Sequence, residues 1–75
     1  PAPTSPAAVA HILASGLVSL ADTLTARVAP GGCIAMSGIL AGQEIEVIVR
    51  YRADFDDLRA EQMEDWMRVT GVRRR

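Results

Sequence analysis

Lysine is absent from this 75-residue chain, and cysteine and histidine occur once each. A single thiol, Cys33, builds neither an internal disulfide framework nor a thiolate metal site, and one histidine without nearby cysteines makes no metal centre. No pair of acids and no Ser/His/Asp set marks a catalytic constellation. A net charge of -1 and a pI near 5.7 exclude the broad electrostatic grip that nucleic acid demands of a partner. No apolar run approaches the ~18 residues of a membrane span, and no basic segment leads into an apolar one as in a signal peptide. The chain therefore reads as cytoplasmic, with neither membrane nor nucleic acid among its partners.

The composition that remains, 49% apolar and 23% charged, is that of a soluble globular chain. At this length there is one domain at most, and such domains bury only roughly 60% of the surface their unfolded chains expose. The basic residues are all arginine, and Arg73, Arg74 and Arg75 close the chain as a solvated, frayed terminus or as a contact for an anionic partner. Three of the four prolines lie in the opening "PAPTSPAA". Each fixes φ and removes a backbone donor, which predicts a disordered Pro-rich arm over residues 1–8 and a folded unit over residues 9–75.

Within that unit "VAHILA", residues 9–14, suits either a short buried strand or the approach to a helix. From Ser15, the spacing of Leu17, Leu20, Ala21, Leu24 and Val28 predicts one amphipathic helix. Pro30, Gly31 and Gly32 are expected to end it in a tight turn. "CIAMSG", residues 33–38, then reads as a strand buried on both faces of a parallel sheet, with Cys33 buried in it and Ser37 and Gly38 at its carboxyl end. Strand ends of that kind are where open α/β sheets bind ligands. "EIEVIVRYR" is ambiguous. Ile45, Val47, Val49 and Tyr51 alternate as in a strand, whereas Ile45, Ile48 and Val49 share a helical face, and Glu46 precedes Arg50 at ion-pair spacing. "LRAEQ" and "WMRVTGVR" read as an antiparallel hairpin turning near Met63, Glu64 and Asp65, with Trp66 as a packing residue.

The ordered set "HILA", "PGG", "SGIL" and the tryptophan-bearing "DWMRVTGVRRR" resembles the C-terminal part of the bacterial methyltransferase family that modifies ribosomal protein L-eleven, over most of the chain after residue 8. The resemblance implies an α/β fold: the C-terminal half of a Rossmann-like class I methyltransferase sheet, ordered (short β)-α-β-α-β-β with a terminal antiparallel hairpin. It implies a helix over residues 44–52, and the βαβ frame, which needs a crossover there, agrees. It also implies S-adenosylmethionine as the parent's cofactor and a ribosomal protein as its substrate.

By the same resemblance, His11 stands where the family has asparagine, a group that positions the cofactor or the substrate amine. A neutral imidazole offers one donor and one acceptor in its place, and a protonated one repels an amine. His11, Ser37 and Gly38 are thus the expected cofactor-binding positions, with an exposed or satisfied histidine and an ordinary strand end as the plainer alternatives. No catalytic residue is assigned. The glycine-rich loop and the acidic residue that hold the cofactor elsewhere in this family have no counterpart in the chain. The expectation is a fragment or remnant of a protein methyltransferase, inactive alone and binding no cofactor by itself. The alternative is a stand-alone α/β domain that binds a protein partner or forms a homodimer through an exposed sheet edge, without catalysis.

Overall fold

Apolar spacings of two and of 3.6 alternate along the chain, and its secondary structure follows them. The computed structural model describes residues 4–75, the His11 side chain set aside. Its elements are β1 (Ser5–His11), α1 (Ala14–Ser19), α2 (Ala21–Ala26), β2 (Val28–Ile39), α3 (Glu44–Tyr51), β3 (Phe55–Met63) and β4 (Trp66–Arg73). The strands form one sheet in the order β1-β2-β4-β3. β1 runs parallel to β2, and β4 is antiparallel to β2 and to β3. The α/β architecture and the terminal hairpin expected from the sequence are both present.

A single apolar core joins the sheet to the helices. Ile34 and Met36 of β2, Ala10 of β1 and Val69 of β4 pack with Leu17, Ala21, Val47 and Tyr51 from the helices. α3 resolves the ambiguity at residues 44–52 in favour of the helix. β4 lies between β2 and β3, so the link from β2 to β3 must cross over it. Val47 and Tyr51, one turn apart, are the residues that α3 buries. Arg50 reaches Asp22 of α2 at 2.9 Å, in place of the Glu46 pairing expected from spacing. At this exposure the pair contributes at most about 1 kcal/mol.

Five expectations are corrected. The single helix after Ser15 is two six-residue helices that break at Leu20, and the buried positions become Ala14, Leu17, Ala21 and Thr25 while Leu20 turns outward. Pro30, Gly31 and Gly32 do not end a helix but lie inside β2, where five steps from Val28 to Cys33 oppose two steps from Ser5 to Ala7. Gly32 is wedged there, since a Cβ would stand 2.7 Å from the Pro6 carbonyl oxygen and 2.9 Å from that of Ala29. Cys33 is exposed, because the core helices pack on the Ile34 and Met36 face and Cys33 points to the other. β1 begins at Ser5, so residues 5–8 of the expected arm belong to the sheet, with Pro6 at the register shift of an edge strand where its missing donor is tolerated. The part of that arm at residues 1–3 lies outside the described residues. The arginine tail, finally, is pinned. Arg73 donates to the Val28 carbonyl, and Arg74 donates to the Arg52 carbonyl at 3.0 Å and meets Asp56 at 3.1 Å.

The buried Tyr51 hydroxyl donates to the Leu17 carbonyl at 2.7 Å and so ties α3 to α1. Burial pushes its pKa up from 10.0 to about 12, the nearby Arg50 charge offsetting part of the effect. Tyr51→Phe should destabilise the fold by about 1–2 kcal/mol at neutral pH, read from the urea midpoint, because the carbonyl loses its donor. Below pH 10 the hydroxyl is protonated both folded and unfolded; from there to about 12 only the unfolded chain releases the proton. Stability therefore falls as pH rises through that window, on the order of 2–3 kcal/mol for this group. The Tyr51→Phe variant should lose correspondingly less over the same interval.

Candidate functional site at the strand ends

The parallel pair β1 and β2 presents its carboxyl ends together, and the residues singled out by sequence meet there. His11 ends β1 and lies opposite Ser37 in the ladder. The role expected of its imidazole falls outside the described side chains. Ser37 is buried, and Gly38 follows it two residues from the start of the loop. Neither residue caps a helix, since β2 continues to Ile39 and α3 begins only at Glu44.

A bulge shapes this end of β2. Against β4 the register passes from Met36↔Val69 to Ile39↔Met67, three steps on one strand against two on the other. The extra residue is accommodated by Gly38, whose φ of 81° lies in the left-handed region where glycine is at ease. Just beyond the strands Ile12, Leu13 and Leu40 are exposed, giving the two loops an apolar rim. In the sequence these three lie inside "HILA" and "SGIL" without a role of their own, because lone aliphatic residues carry no chemical signature. What flags them is their place after the carboxyl ends of adjacent parallel strands.

The polar inventory at these ends is thin. Neither β1 nor β2 ends in a carboxylate, and the nearest acid along the chain, Glu44, accepts the Gly42 backbone N–H at 2.6 Å. Among the described residues no cluster of His, Cys, Asp or Glu could hold a metal ion, and no helix is long and apolar enough to cross a membrane. A concavity of about 940 Å³ lies instead along α1 and α3 against Val18, Ile45 and Val49, with Glu46 and Arg50 also lining it.

A mixed sheet with these crossovers and this hairpin defines half of a methyltransferase-type α/β domain. The crystal structure of the ribosomal protein L11 methylase from Lactobacillus delbrueckii subsp. bulgaricus superposes with a TM-score of 0.82 over 99% of this chain and 39% of its own, at 21% identity, which establishes the fold. The sequence family "Ribosomal protein L11 methyltransferase (PrmA)" matches residues 3–74, and the chain belongs to that family. It is 62% identical over 74 residues to the ribosomal protein L11 methyltransferase of Xanthomonas euvesicatoria pv. vesicatoria (strain 85-10), covering 99% of this chain and 24% of the relative. To the protein of the same name from Xylella fastidiosa (strain Temecula1 / ATCC 700964) it is 52% identical over 69 residues, 92% of this chain and 22% of the relative. The chain thus spans about a quarter of the length of these curated relatives.

S-adenosylmethionine, the cofactor this family implies, carries ribose hydroxyls and a charged amino acid end. A site for it needs acceptors at the strand ends. Along β1 and β2 the strand ends bring small residues and the Ser37 hydroxyl, and no carboxylate.

Proposed function

We propose that the chain forms the C-terminal sheet half of an S-adenosylmethionine-dependent protein methyltransferase acting on a ribosomal protein in the cytoplasm, and that it is inactive in isolation. The observation that carries this reading is the family match over residues 3–74, together with a fold that brings His11, Ser37 and Gly38 to adjacent strand ends. On this reading those three residues line one wall of the cofactor cleft, and the groups that hold the cofactor's polar ends come from other parts of the protein. The contribution of the wall is placement, since holding a donor and an acceptor in line removes much of the entropic barrier to group transfer.

Two measurements test it. Titration calorimetry of S-adenosylmethionine into the chain should give no saturable heat; binding near one cofactor per chain would refute the claim that the wall is incomplete. A chimera in which this chain replaces the matching quarter of the Xanthomonas euvesicatoria protein should transfer labelled methyl groups to ribosomal protein L11. A folded chimera without transfer would count against the reading.

A second reading is favoured by the unequal edges of the sheet. β3, one edge, carries Asp56, Asp57, Arg59 and Glu61, with Asp57 at a φ of 57° beside a register shift. Charges and bulges of this kind keep an edge from pairing with another chain. β1, the other edge, has neither a carboxylate nor a guanidinium along Ser5–His11, and its Val9 is 79% exposed. On this reading the isolated chain forms a homodimer through β1. Light scattering should then return twice the mass of the 8.0 kDa chain, and Val9→Lys should return it to the monomer. A monomeric parent chain at high concentration would refute the dimer.

A further inference from the structure

We infer that Gly38 is a positioning residue: it gives the β1–α1 loop an unobstructed seat against the end of β2 and thereby sets where Ile12 and Leu13 stand at the mouth of the site. This rests on the methyltransferase reading and goes beyond it, because a wall residue acts by touching the ligand and a positioning residue acts through its neighbour.

The contact is with backbone. A Cβ on Gly38 would stand 3.2 Å from the Ile12 carbonyl oxygen, 3.6 Å from its carbonyl carbon and 3.7 Å from its nitrogen. Backbone atoms cannot rotate away as a side-chain tip does, so the loop itself would have to give by a few tenths of an ångström. Ile12 is held on its other side as well. Its Cδ1 lies 3.2 Å from the place a Cβ on Gly16 would occupy, so the side chain rests on the bare first turns of α1. Ile12 thus stands where an added Cβ on either glycine would meet it, its backbone at Gly38 and its side-chain tip at Gly16. His11 precedes Ile12 and is paired with Ser37, so any shift of Ile12 is passed to both loops at the strand ends.

Gly42 supplies the control. Its φ is 98°, so alanine there is strained as at Gly38, but nothing lies within 4 Å of the added Cβ. Gly42→Ala isolates the cost of a left-handed backbone, and Gly38→Ala adds displacement of Ile12 to it.

Both substitutions are made in the Xanthomonas chimera, with kcat, the KM for S-adenosylmethionine and the Ile12 δ1-methyl resonance as readouts. For Gly38→Ala, kcat should fall by about tenfold to a hundredfold while the cofactor KM stays within about threefold, since misplacement of a reacting group costs rate before affinity. The Ile12 resonance should move with it. Gly42→Ala should leave all three in place. An unchanged kcat, an equal loss in Gly42→Ala, or a rise confined to the cofactor KM would overturn the inference, the last marking Gly38 as a wall. If Gly38→Ala does not fold, Gly38→Asn takes its place, because asparagine tolerates the left-handed region while keeping the Cβ. That variant should lose kcat alike, and wild-type turnover in it would be equally fatal. An inactive parent chimera counts against the methyltransferase reading alone. The Ile12 resonance still decides the positioning, and a fixed resonance in Gly38→Ala rejects it.

Discussion

The position of every element depends on the pairing of β2, which takes a parallel neighbour on one side and an antiparallel one on the other. Parallel pairing with β1 demands a crossover, and α1 with α2 supplies it. Antiparallel pairing with β4 forces β3 to the far edge and makes α3 a second crossover. The ladder is regular on both sides only over Cys33–Met36, where Ile34 and Met36 carry the burial. At either end it gives way to an irregularity, the Pro30–Gly32 excursion opposite β1 and the Gly38 bulge opposite β4. The second lies where the chain leaves the sheet, and it shapes the site.

The parts of the fold legible in the sequence were those fixed by short-range pattern. The bounded apolar run at Cys33–Gly38 and the alternation through Trp66–Val72 both identified strands, and the turn between β3 and β4 fell at Glu64 and Asp65. Residues 44–52 had two periods at once, and the choice between them was made by topology. The remaining differences arise from tertiary pairing. Pro30, Gly31 and Gly32 have the chemistry of a turn, yet β1 supplies a parallel partner that lets the strand run through them. Cys33 looks buried in an apolar run, but only one face of the sheet receives helices. At the site, the strand-end places of Ser37 and Gly38 could be read from sequence. The contact between Gly38 and the Ile12 backbone could not, because it is set by the register of two strands far apart in the chain.

The one-sided sheet also bears on how so short a chain holds together. Its stability rests on one core layer, with the Tyr51 hydroxyl and the Arg73 and Arg74 guanidinium groups tying separated segments by hydrogen bonds to backbone carbonyls. The opposite face presents Val9, Cys33, Ala35 and Val72 around a groove of about 350 Å³. That exposure, and the contrast between a charged β3 edge and an uncharged β1 edge, leave one face and one edge of the sheet open to a further layer or strand. The length comparison is consistent with this, since the relatives are about four times as long as the stretch they share with the chain.

On the proposed reading, a site wall built in this way acts through shape. Apart from His11, the strand ends bring Ser37, Gly38 and an aliphatic rim, and none of these is ionisable. On that reading, charge recognition belongs to groups outside the wall, while the wall fixes distances. Distances fixed by a bulge and by the absence of a side chain depend on backbone register, which a change of rim side chain leaves alone. An added Cβ at the point of closest approach would press on the Ile12 backbone directly. Substitution of the rim and substitution of the glycine are therefore different kinds of change. The rim alters which surface a ligand meets, and the glycine alters where that surface stands.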